Sequence, residues 1–396
     1  MFQQPVYLDN NATTACDPRV VETMLPYFSQ IYGNAASRSH SFGWAASEAV
    51  DLAREQVAAL IGATKQEIIF TSGATEAINL AIKGAYEMYA GKGNHIITVA
   101  TEHKAVLDTC EHLAKKGARI TFLPVEASGL IDLQKLEDAI SPDTILISVM
   151  FANNETGVIQ PIREISQIAR KHQVIFMSDA TQAVGKIPVN VNDLGIDILT
   201  LSGHKFYGPK GVGALYIRRR DPRVRLVAQL DGGGHERGLR SGTLNVPGIV
   251  GLGKASQLSM LEMERDIQHI LPLRDKLENA LLQLEQTFRN GTAQHRLPHT
   301  CNLSFNYLES EVLMMTYNRK IALSSGSACT SASMEPSHVL KAMGLSDEMA
   351  YASLRFGLSR FTTEEEIDFT IQTMLEGVEE LRGKSIAWEL YKDSLS

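Results

Sequence analysis

The residue best suited to covalent chemistry in this sequence is Lys205, within Ser202-Gly203-His204-Lys205-Phe206-Tyr207-Gly208. An apolar run precedes this stretch and a second one follows its glycine-rich turn. Small and hydroxyl residues around a lysine, at the end of an apolar strand, are what a Schiff-base lysine at the base of a pocket needs. A solvated lysine on a loop is the alternative, which a single motif leaves open.

Asp179 lies about one βα step before Lys205, directly after the apolar run of residues 174–178. A carboxylate after so apolar a strand is costly unless it is paired, and the nitrogen of a pyridine ring would pair it. That pairing keeps the ring nitrogen protonated and makes the ring an electron sink. Asp179 could equally cap the next turn. The order of Asp179 and Lys205 favours a pyridoxal phosphate site.

The stretch Ser72-Gly73-Ala74-Thr75-Glu76 follows a short apolar strand, residues 67–71, and opens a helix. Free backbone N–H groups and the positive end of the helix dipole form a cup for an anion such as phosphate at this place. A simple N-cap by Ser72 or Thr75 is the alternative.

His103 follows another predicted strand, residues 95–100, at its carboxyl end. Ligands bind at that end in open α/β sheets, so His103 is a candidate for stacking on a planar cofactor or exchanging protons with it. A histidine packed at the start of a helix is the alternative.

A polar stretch also follows the next long apolar run of the sequence. Asn153-Asn154-Glu155 follows residues 144–152, a continuously apolar strand of the kind buried on both faces of a parallel sheet. These amides could bind a cofactor oxygen and a substrate carboxylate, but their spacing slightly favours a plain turn.

Residues 232–243 are too glycine-rich for regular structure, and predict either a surface loop or a segment against a cofactor or a neighbouring subunit.

Cys329 stands in a run of small residues, Ser324-Ser325-Gly326-Ser327-Ala328-Cys329-Thr330-Ser331. Such a cysteine has little to pack against, which favours a chemical role over that of an inert core residue. It would need a basic neighbour to act as a thiolate. Arg355 offers a fork-shaped donor suited to a substrate carboxylate, unless it only forms a surface ion pair.

The elements that must position these residues alternate between apolar strands and amphipathic helices. The alternation predicts an α/β fold whose large domain, residues 15–260, has a mostly parallel sheet flanked by helices. A smaller α+β domain, formed by residues 1–14 and 261–396, would carry Cys329. Within it, Thr362 and Glu365 predict a capping box before the final amphipathic helix.

Composition excludes several classes of protein. The net charge of −7 argues against a nucleic-acid surface, and no apolar run approaches the roughly 20 residues of a membrane span. None of the four cysteines forms a C-x-x-C pair, so we expect reduced thiols, no resident metal and a cytoplasmic location.

Four stretches, 72–76, 179–182, 202–205 and 324–331, together resemble the cysteine desulfurases of the NifS/IscS type. The likeness runs nearly end to end, from residues 7–14 to Arg355 and the final helix. It implies a fold-type I pyridoxal phosphate enzyme of the class-V aminotransferase group. It also implies a homodimer with its sites at the subunit interface.

The resemblance also implies a role for each candidate residue. Lys205 would be bonded to the cofactor, His103 would stack on its ring and Cys329 would be the nucleophile. The cofactor phosphate would be bound by Gly73, Ala74, Thr75, Ser202 and His204, with Thr243 from the other subunit. Asp179 would pair with the ring nitrogen, and Gln182 would bind the phenolic oxygen. Asn154 and Arg355 would bind the carboxylate of L-cysteine, and Asn154 would also lie near the cofactor.

The implied reaction removes sulfur from L-cysteine, leaving L-alanine and a persulfide on Cys329. A mobile loop would carry the persulfide to an iron-sulfur scaffold protein or another acceptor, for cluster assembly, other thio-cofactors or tRNA thiolation. Cys329 could thereby contact a cluster held by the scaffold. Three alternatives stay open: an aminotransferase or β-lyase that would not need Cys329, a nucleotide-binding regulatory module, and a sulfur-carrying scaffold without catalysis.

Overall fold

The structure, a computed structural model, describes residues 5–325 and 335–395. Cys329 lies outside the described residues. The strands of the described residues are, in chain order, β1 (Val6–Tyr7), β2 (Ile68–Thr71), β3 (His95–Val99), β4 (Arg119–Leu123), β5 (Thr144–Ser148), β6 (Ile175–Asp179), β7 (Ile198–Ser202), β8 (Gly213–Ile217), β9 (Thr287–Arg289), β10 (Thr300–Phe305), β11 (Ile321–Ala322), β12 (Ser324–Ser325) and β13 (Ser353–Gly357).

Helices begin and end largely where local signals place them. Asp17 caps the first helix and Pro18 is its first residue, while Gly62, at a φ of +68°, follows the end of the third. The helices of the described ranges are α1 (Pro18–Met24), α2 (Pro26–Ser29), α3 (Ser41–Leu60), α4 (Ala74–Met88), α5 (Lys104–Ala114), α6 (Leu133–Ala139), α7 (Ile162–Lys171), α8 (Val246–Leu281), α9 (Ser310–Tyr317), α10 (His338–Ala342), α11 (Asp347–Tyr351), α12 (Glu364–Arg382) and α13 (Ile386–Asp393).

The large sheet has seven strands in the order β2-β8-β7-β6-β5-β3-β4. Strands β3 to β7 pair in parallel, and β8 runs antiparallel to both of its neighbours, β2 and β7. The predicted α/β fold with a mostly parallel sheet is therefore confirmed. This topology gathers the carboxyl ends of β2, β3, β5, β6 and β7 along one edge.

Both faces of the large sheet are covered by helices. Successive residues of a strand point to opposite faces, and here the side chains on both faces are apolar and pack against helices. Ile97 and Leu199 belong to the core under α3, α7 and the first half of α8. Their chain neighbours Ile96 and Ile198 belong to the core under α4 and α5. All four side chains are fully buried. Burial on both faces explains why these strands read as continuous apolar runs.

A second, antiparallel sheet of order β12-β13-β10-β9 packs on α12 and the second half of α8. The N-terminal strand β1 pairs in parallel with β11, and Asp9 forms a bridge with Gly357 at the end of β13. This pairing places the residues that follow β1 beside Arg355.

Helix α8 runs without interruption through the predicted domain boundary at residue 260. Its 36 residues correspond to a length of about 54 Å. Ile249 packs on the large sheet and Leu277 on the small one, so one helix supports both sheets. The division into a large domain, residues 15–260, and a small domain, residues 1–14 and 261–396, stays a prediction.

One local prediction was wrong by one residue. The capping box of α12 is formed by Thr363 and Glu366, rather than by Thr362 and Glu365. Thr362 instead bonds to Ser359 in the preceding turn.

In the described part of the chain, no helix combines the length and the apolar character needed to cross a membrane.

Candidate active site

A cavity of about 710 Å³ opens at the edge where the strands of the large sheet end. Because the carboxyl ends of these strands share an edge, they bring together side chains that are far apart in sequence. The lining includes, of the predicted site residues, Gly73, Ala74, Thr75, His103, Asn154, Asp179, Gln182, Ser202, His204, Lys205 and Arg355. The functions assigned to these residues remain predictions, but their common location is a structural fact.

Lys205 ends a short 3₁₀ turn that follows β7. Its Nζ donates to the backbone oxygens of Asn11, at 2.8 Å, and Ala12, at 2.6 Å. The pKa of Lys205 is lowered to about 8, chiefly by burial and also by the charge of Arg355, while Asp179 and Asp9 oppose the shift. Lys205 is therefore no solvated surface lysine. The lowered pKa raises the unprotonated fraction of its amine near neutral pH far above that of an ordinary lysine, and the unprotonated form is the nucleophile.

Asp179 is the last residue of β6 and is only 6% exposed. Its Oδ1 accepts hydrogen bonds from Thr181 N and Thr200 Oγ1, each at 3.0 Å, and from the Thr181 hydroxyl. The two interpretations of Asp179 are therefore compatible, since the carboxylate caps the next turn and also lines the cavity. Its donors fix a buried negative charge where a protonated ring nitrogen could meet it.

The N-terminus of α4 is open toward the cavity. Gly73 is its N-cap, and no side chain caps the helix, so the interpretation of Ser72 or Thr75 as a plain N-cap was wrong. Gly73 has a φ of +156°, and the nearest atom that a Cβ there would meet is Ser202 Oγ, at 3.6 Å. The turn thus leaves space and unpaired N–H groups where a phosphate can bind.

His204 lines the same cavity as this turn. Burial lowers its pKa to about 4, and the charges of Lys205 and Lys210 contribute in the same direction. The ring is therefore neutral near pH 7. Its Nδ1 lies 3.1 Å from Thr13 Oγ1, and a hydroxyl donating to Nδ1 leaves Nε2–H as a donor for an anion.

His103 caps a helix and also lines the cavity. It is the N-cap of α5, where its Nδ1 accepts from Ala105 N at 3.1 Å. Its ring is also exposed and lines the cavity. The ring is thus held in place at one nitrogen while its remaining surface is available to a planar ligand.

Arg355 lies on β13 and is 9% exposed, which excludes the alternative of a surface ion pair. Its Nη1 donates to the backbone oxygen of Asn154 at 3.1 Å, and its Nη2 to Asp9 Oδ1 at 2.8 Å and Ser324 Oγ at 2.9 Å. The neighbouring Asn153 forms a turn, as its spacing indicated, with its Oδ1 accepting from Glu155 N at 2.8 Å.

Sequence reasoning missed the contribution of the segment after β1. Asn11 accepts from both Lys205 and Gln182 through its backbone oxygen, and Asp9 pairs with Arg355. The available signal was a run of polar residues directly after a strand, the same pattern that identified residues 72–76. Only the long-range pairing of β1 shows that this run reaches the cavity.

Thr243 is not among the residues that line the cavity of its own chain; it is exposed in the loop before α8. That loop is anchored by two ion pairs, the buried Glu236–Arg54 pair at 2.6 Å and the Arg240–Glu76 pair at 2.8 Å. Cys329 lies outside the described residues, so its place relative to the cavity stays a prediction.

The residues present fit pyridoxal phosphate. An open helix N-terminus with nearby hydroxyls suits the phosphate, a buried carboxylate suits the ring nitrogen, and an amine of lowered pKa suits the carbonyl group. The guanidinium of Arg355 adds a donor for a carboxylate at the same cavity.

Comparison with known proteins identifies the family. The family described as Aminotransferase class-V matches residues 6–369. A protein named Cysteine desulfurase IscS, from Anaeromyxobacter dehalogenans (strain 2CP-C), is 56% identical over 392 residues, covering 99% of this chain and 96% of its own.

Solved structures agree with this identification. A NifS-like protein superposes with a TM-score of 0.88 at 38% identity, covering 95% of this chain and 99% of its own. A structure titled SspA in complex with cysteine gives a TM-score of 0.80 at 39% identity, covering 90% of this chain and all of its own. The chain therefore belongs to the class-V aminotransferase family, whose members use pyridoxal phosphate, and within it to the cysteine desulfurases of the NifS/IscS type.

Proposed function

We propose that this protein is a pyridoxal phosphate-dependent cysteine desulfurase, a sulfurtransferase that converts L-cysteine to L-alanine and leaves the sulfur as a persulfide on Cys329. The observation that carries the proposal is the cavity that Lys205, Asp179 and Arg355 share. An amine, a buried carboxylate and a carboxylate-binding guanidinium are the groups that the cofactor and an amino acid require together. The cysteine bound to the related SspA supports the choice of substrate.

When bound, pyridoxal phosphate supplies a ring that withdraws electrons and stabilises negative charge at the substrate α-carbon. The chain supplies position and protons. Asp179 holds a proton on the ring nitrogen, and Arg355 orients the substrate through its carboxylate. Lys205 Nζ, with a pKa of about 8, can accept and return a proton near neutral pH.

The sulfur transfer balances without an external oxidant. The bond between the substrate β-carbon and its sulfur breaks, and a bond between that sulfur and Cys329 Sγ forms. The β-carbon is reduced to a methyl group as Cys329 is oxidised to a persulfide. Ser324, which accepts from Arg355, precedes Cys329 by five residues, and five residues span at most about 18 Å. That short tether supports Cys329 as the nucleophile.

The test is to incubate the purified protein with L-cysteine and a reductant, and to measure alanine and sulfide together. Equal release of both is expected, with one added sulfur atom detected on Cys329 by mass spectrometry when reductant is omitted. Cys329→Ser should abolish alanine formation. Cys16→Ser, which alters a half-buried cysteine outside the cavity lining, should not. Unchanged turnover in Cys329→Ser would instead establish an aminotransferase or β-lyase.

We further propose that the protein acts as a cytoplasmic homodimer in which Thr243 of one subunit completes the phosphate site of the other. The anchored loop supports this role, because it holds Thr243 exposed and away from the lining of its own cavity. Mixed dimers of Lys205→Ala and Thr243→Ala chains test it. If Thr243 acts in the site of the other subunit, one site per mixed dimer is intact, and cofactor binding and activity are restored. If Thr243 acts in the site of its own chain, both sites are defective and neither is restored.

The acceptor of the persulfide is proposed to be an iron-sulfur scaffold protein. Transfer of labelled sulfur from Cys329 to a purified scaffold tests that assignment. Transfer to a tRNA-thiolation or thio-cofactor protein in its place would assign the enzyme to those pathways.

A further inference from the structure

A buried amine, that of Lys186, lies behind the wall of the cavity. Its Nζ is 3.2 Å from Gln182 Oε1 and 2.9 Å from His299 Nε2. Lys186 is 8% exposed and His299 is 2% exposed. Lys186 follows β6 of the large sheet and His299 precedes β10 of the small one, so their contact joins the two sheets. None of the roles described above uses either side chain.

The contact decides which way the amide of Gln182 faces. A lysine amine can donate in either protonation state, and a proton that Nζ donates to Gln182 requires the oxygen of the amide rather than its NH₂ group. Gln182 Nε2 then faces the other way, where it donates to Asn11 O at 2.9 Å. A flipped amide would place its oxygen against Asn11 O, which can only accept, and would leave Lys186 Nζ facing an NH₂ group to which it cannot donate.

His299 completes a directed chain of hydrogen bonds. Its Nδ1 has no hydrogen-bond partner among the described residues. A buried N–H without a partner is rarer than a buried acceptor without one, so the proton belongs on Nε2. Burial, with the charges of Lys205 and Arg355, holds the pKa of Lys186 well below its usual range. A neutral Lys186 can accept from His299 Nε2–H and still donate to Gln182.

We propose that Lys186 is a positioning residue that turns the amide nitrogen of Gln182 toward the cavity, where it donates a hydrogen bond to the phenolic oxygen of bound pyridoxal phosphate. His299 holds Lys186 in place. The inference rests on the cofactor assigned under the proposed function and extends it to two residues that do not line the cavity.

The colour of the bound cofactor reports on this hydrogen bond. The nitrogen that joins Lys205 to the cofactor carries a proton that the neighbouring phenolic oxygen attracts. A donor on that oxygen weakens the attraction and lowers the pKa of the nitrogen. Loss of the donor should therefore raise the pH midpoint of the colour change. This readout needs no turnover.

The experiment is a pH titration of the visible absorbance of four holoenzymes: wild type, Lys186→Met, Gln182→Leu and the double variant. We expect both single variants to shift the midpoint upward by about 0.5 to 1 pH unit, the size of one hydrogen bond. The double variant should match Gln182→Leu alone, because Lys186 acts through Gln182. Lys135→Met, at an exposed lysine of α6, is the matched control without a shift.

An unshifted midpoint in Lys186→Met, or single-variant shifts that add in the double variant, would overturn the positioning role. Should Lys186→Met fail to fold, Lys186→Leu combined with His299→Leu replaces the amine and the ring it contacts by apolar side chains, so that His299 is not left facing an apolar residue. The same upward shift is expected there. A colourless wild type overturns the inference together with the cofactor, whereas a coloured wild type that makes no alanine refutes only the desulfurase reaction.

Discussion

Asp9 Oδ1 lies 2.8 Å from Nη2 of Arg355, so the guanidinium predicted to bind the substrate carboxylate already holds a carboxylate of its own chain. Ser324 Oγ donates to the same Oδ1 at 2.7 Å. Asp9 thus aligns Arg355 and balances its charge before substrate arrives. The incoming carboxylate must share the guanidinium, which a planar fork with five N–H donors allows.

Arg355→Lys should weaken substrate binding more than it affects the cofactor. An ammonium group cannot bridge Asp9, Asn154 O and a substrate carboxylate as the fork does. Steady-state kinetics should show KM for L-cysteine raised at least about 10-fold, the loss expected for one charge-assisted hydrogen bond. The visible spectrum should stay unchanged. Arg223→Lys, at an exposed position, is the control, and an equal effect there would contradict the prediction.

Attachment of the cofactor to the apoprotein should depend on pH with a midpoint near 8. The pKa of Lys205 is lowered to about 8, and only the unprotonated amine attacks a carbonyl group. The rate should therefore rise as pH increases through 8, rather than near the ordinary lysine value of about 10.4. Stopped-flow absorbance after addition of pyridoxal phosphate measures it. A midpoint above 10 would show that burial does not perturb this amine.

Two charge-removing substitutions should move that midpoint in opposite directions. Asp9 raises the pKa of Lys205 and Arg355 lowers it. Asp9→Asn should therefore lower the midpoint, and Arg355→Gln should raise it. Both variants are compared with the wild type in the same stopped-flow assay. Shifts of the same sign would mean that altered packing, and not charge, controls the amine.

Gly73→Ala should weaken retention of the cofactor. A non-glycine residue at a φ of +156° is strained, and the strain falls on the turn that opens α4. A cost of about 1–2 kcal/mol corresponds to roughly 10-fold weaker binding of pyridoxal phosphate, measured by equilibrium dialysis. Gly91→Ala is the matched control, because a Cβ there meets nothing within 4 Å. Equal dissociation constants for both variants would refute the prediction.

Glu236→Gln should destabilise the protein by about 3 kcal/mol. Glu236 binds both terminal nitrogens of Arg54 and accepts from Phe70 N, and its substitution leaves a buried guanidinium without its counter-charge. Urea unfolding of the apoprotein measures the loss. Glu55→Gln breaks the exposed pair with Lys65 and should cause no measurable change. A similar result at both positions would show that burial of the first pair contributes nothing.

The site residues that the sequence predicted best are those that come at the end of an apolar strand. His103, Asp179 and Lys205 each follow an apolar strand, and the parallel order of those strands is enough to bring them together. Lys186 and His299 escaped notice because nothing local marks a contact between segments 113 residues apart. The capping box moved by one residue because Thr362 and Thr363 are equally good caps in isolation, and the hydroxyl of Thr362 is engaged by Ser359 N in the preceding turn.

The pairing of β1 with β11 has a consequence for biosynthesis. At about 5–20 residues per second, the ribosome needs roughly 15–60 s to progress from β1 to residues 321–322, where its pairing partner lies. Throughout that interval Asp9 and Asn11 have neither Arg355 nor β11 to hold them, although Asp179 and Lys205 have been translated well before it ends. A nascent chain therefore carries the amine of Lys205 before it carries the guanidinium of Arg355, and the pocket is complete only after translation of β13.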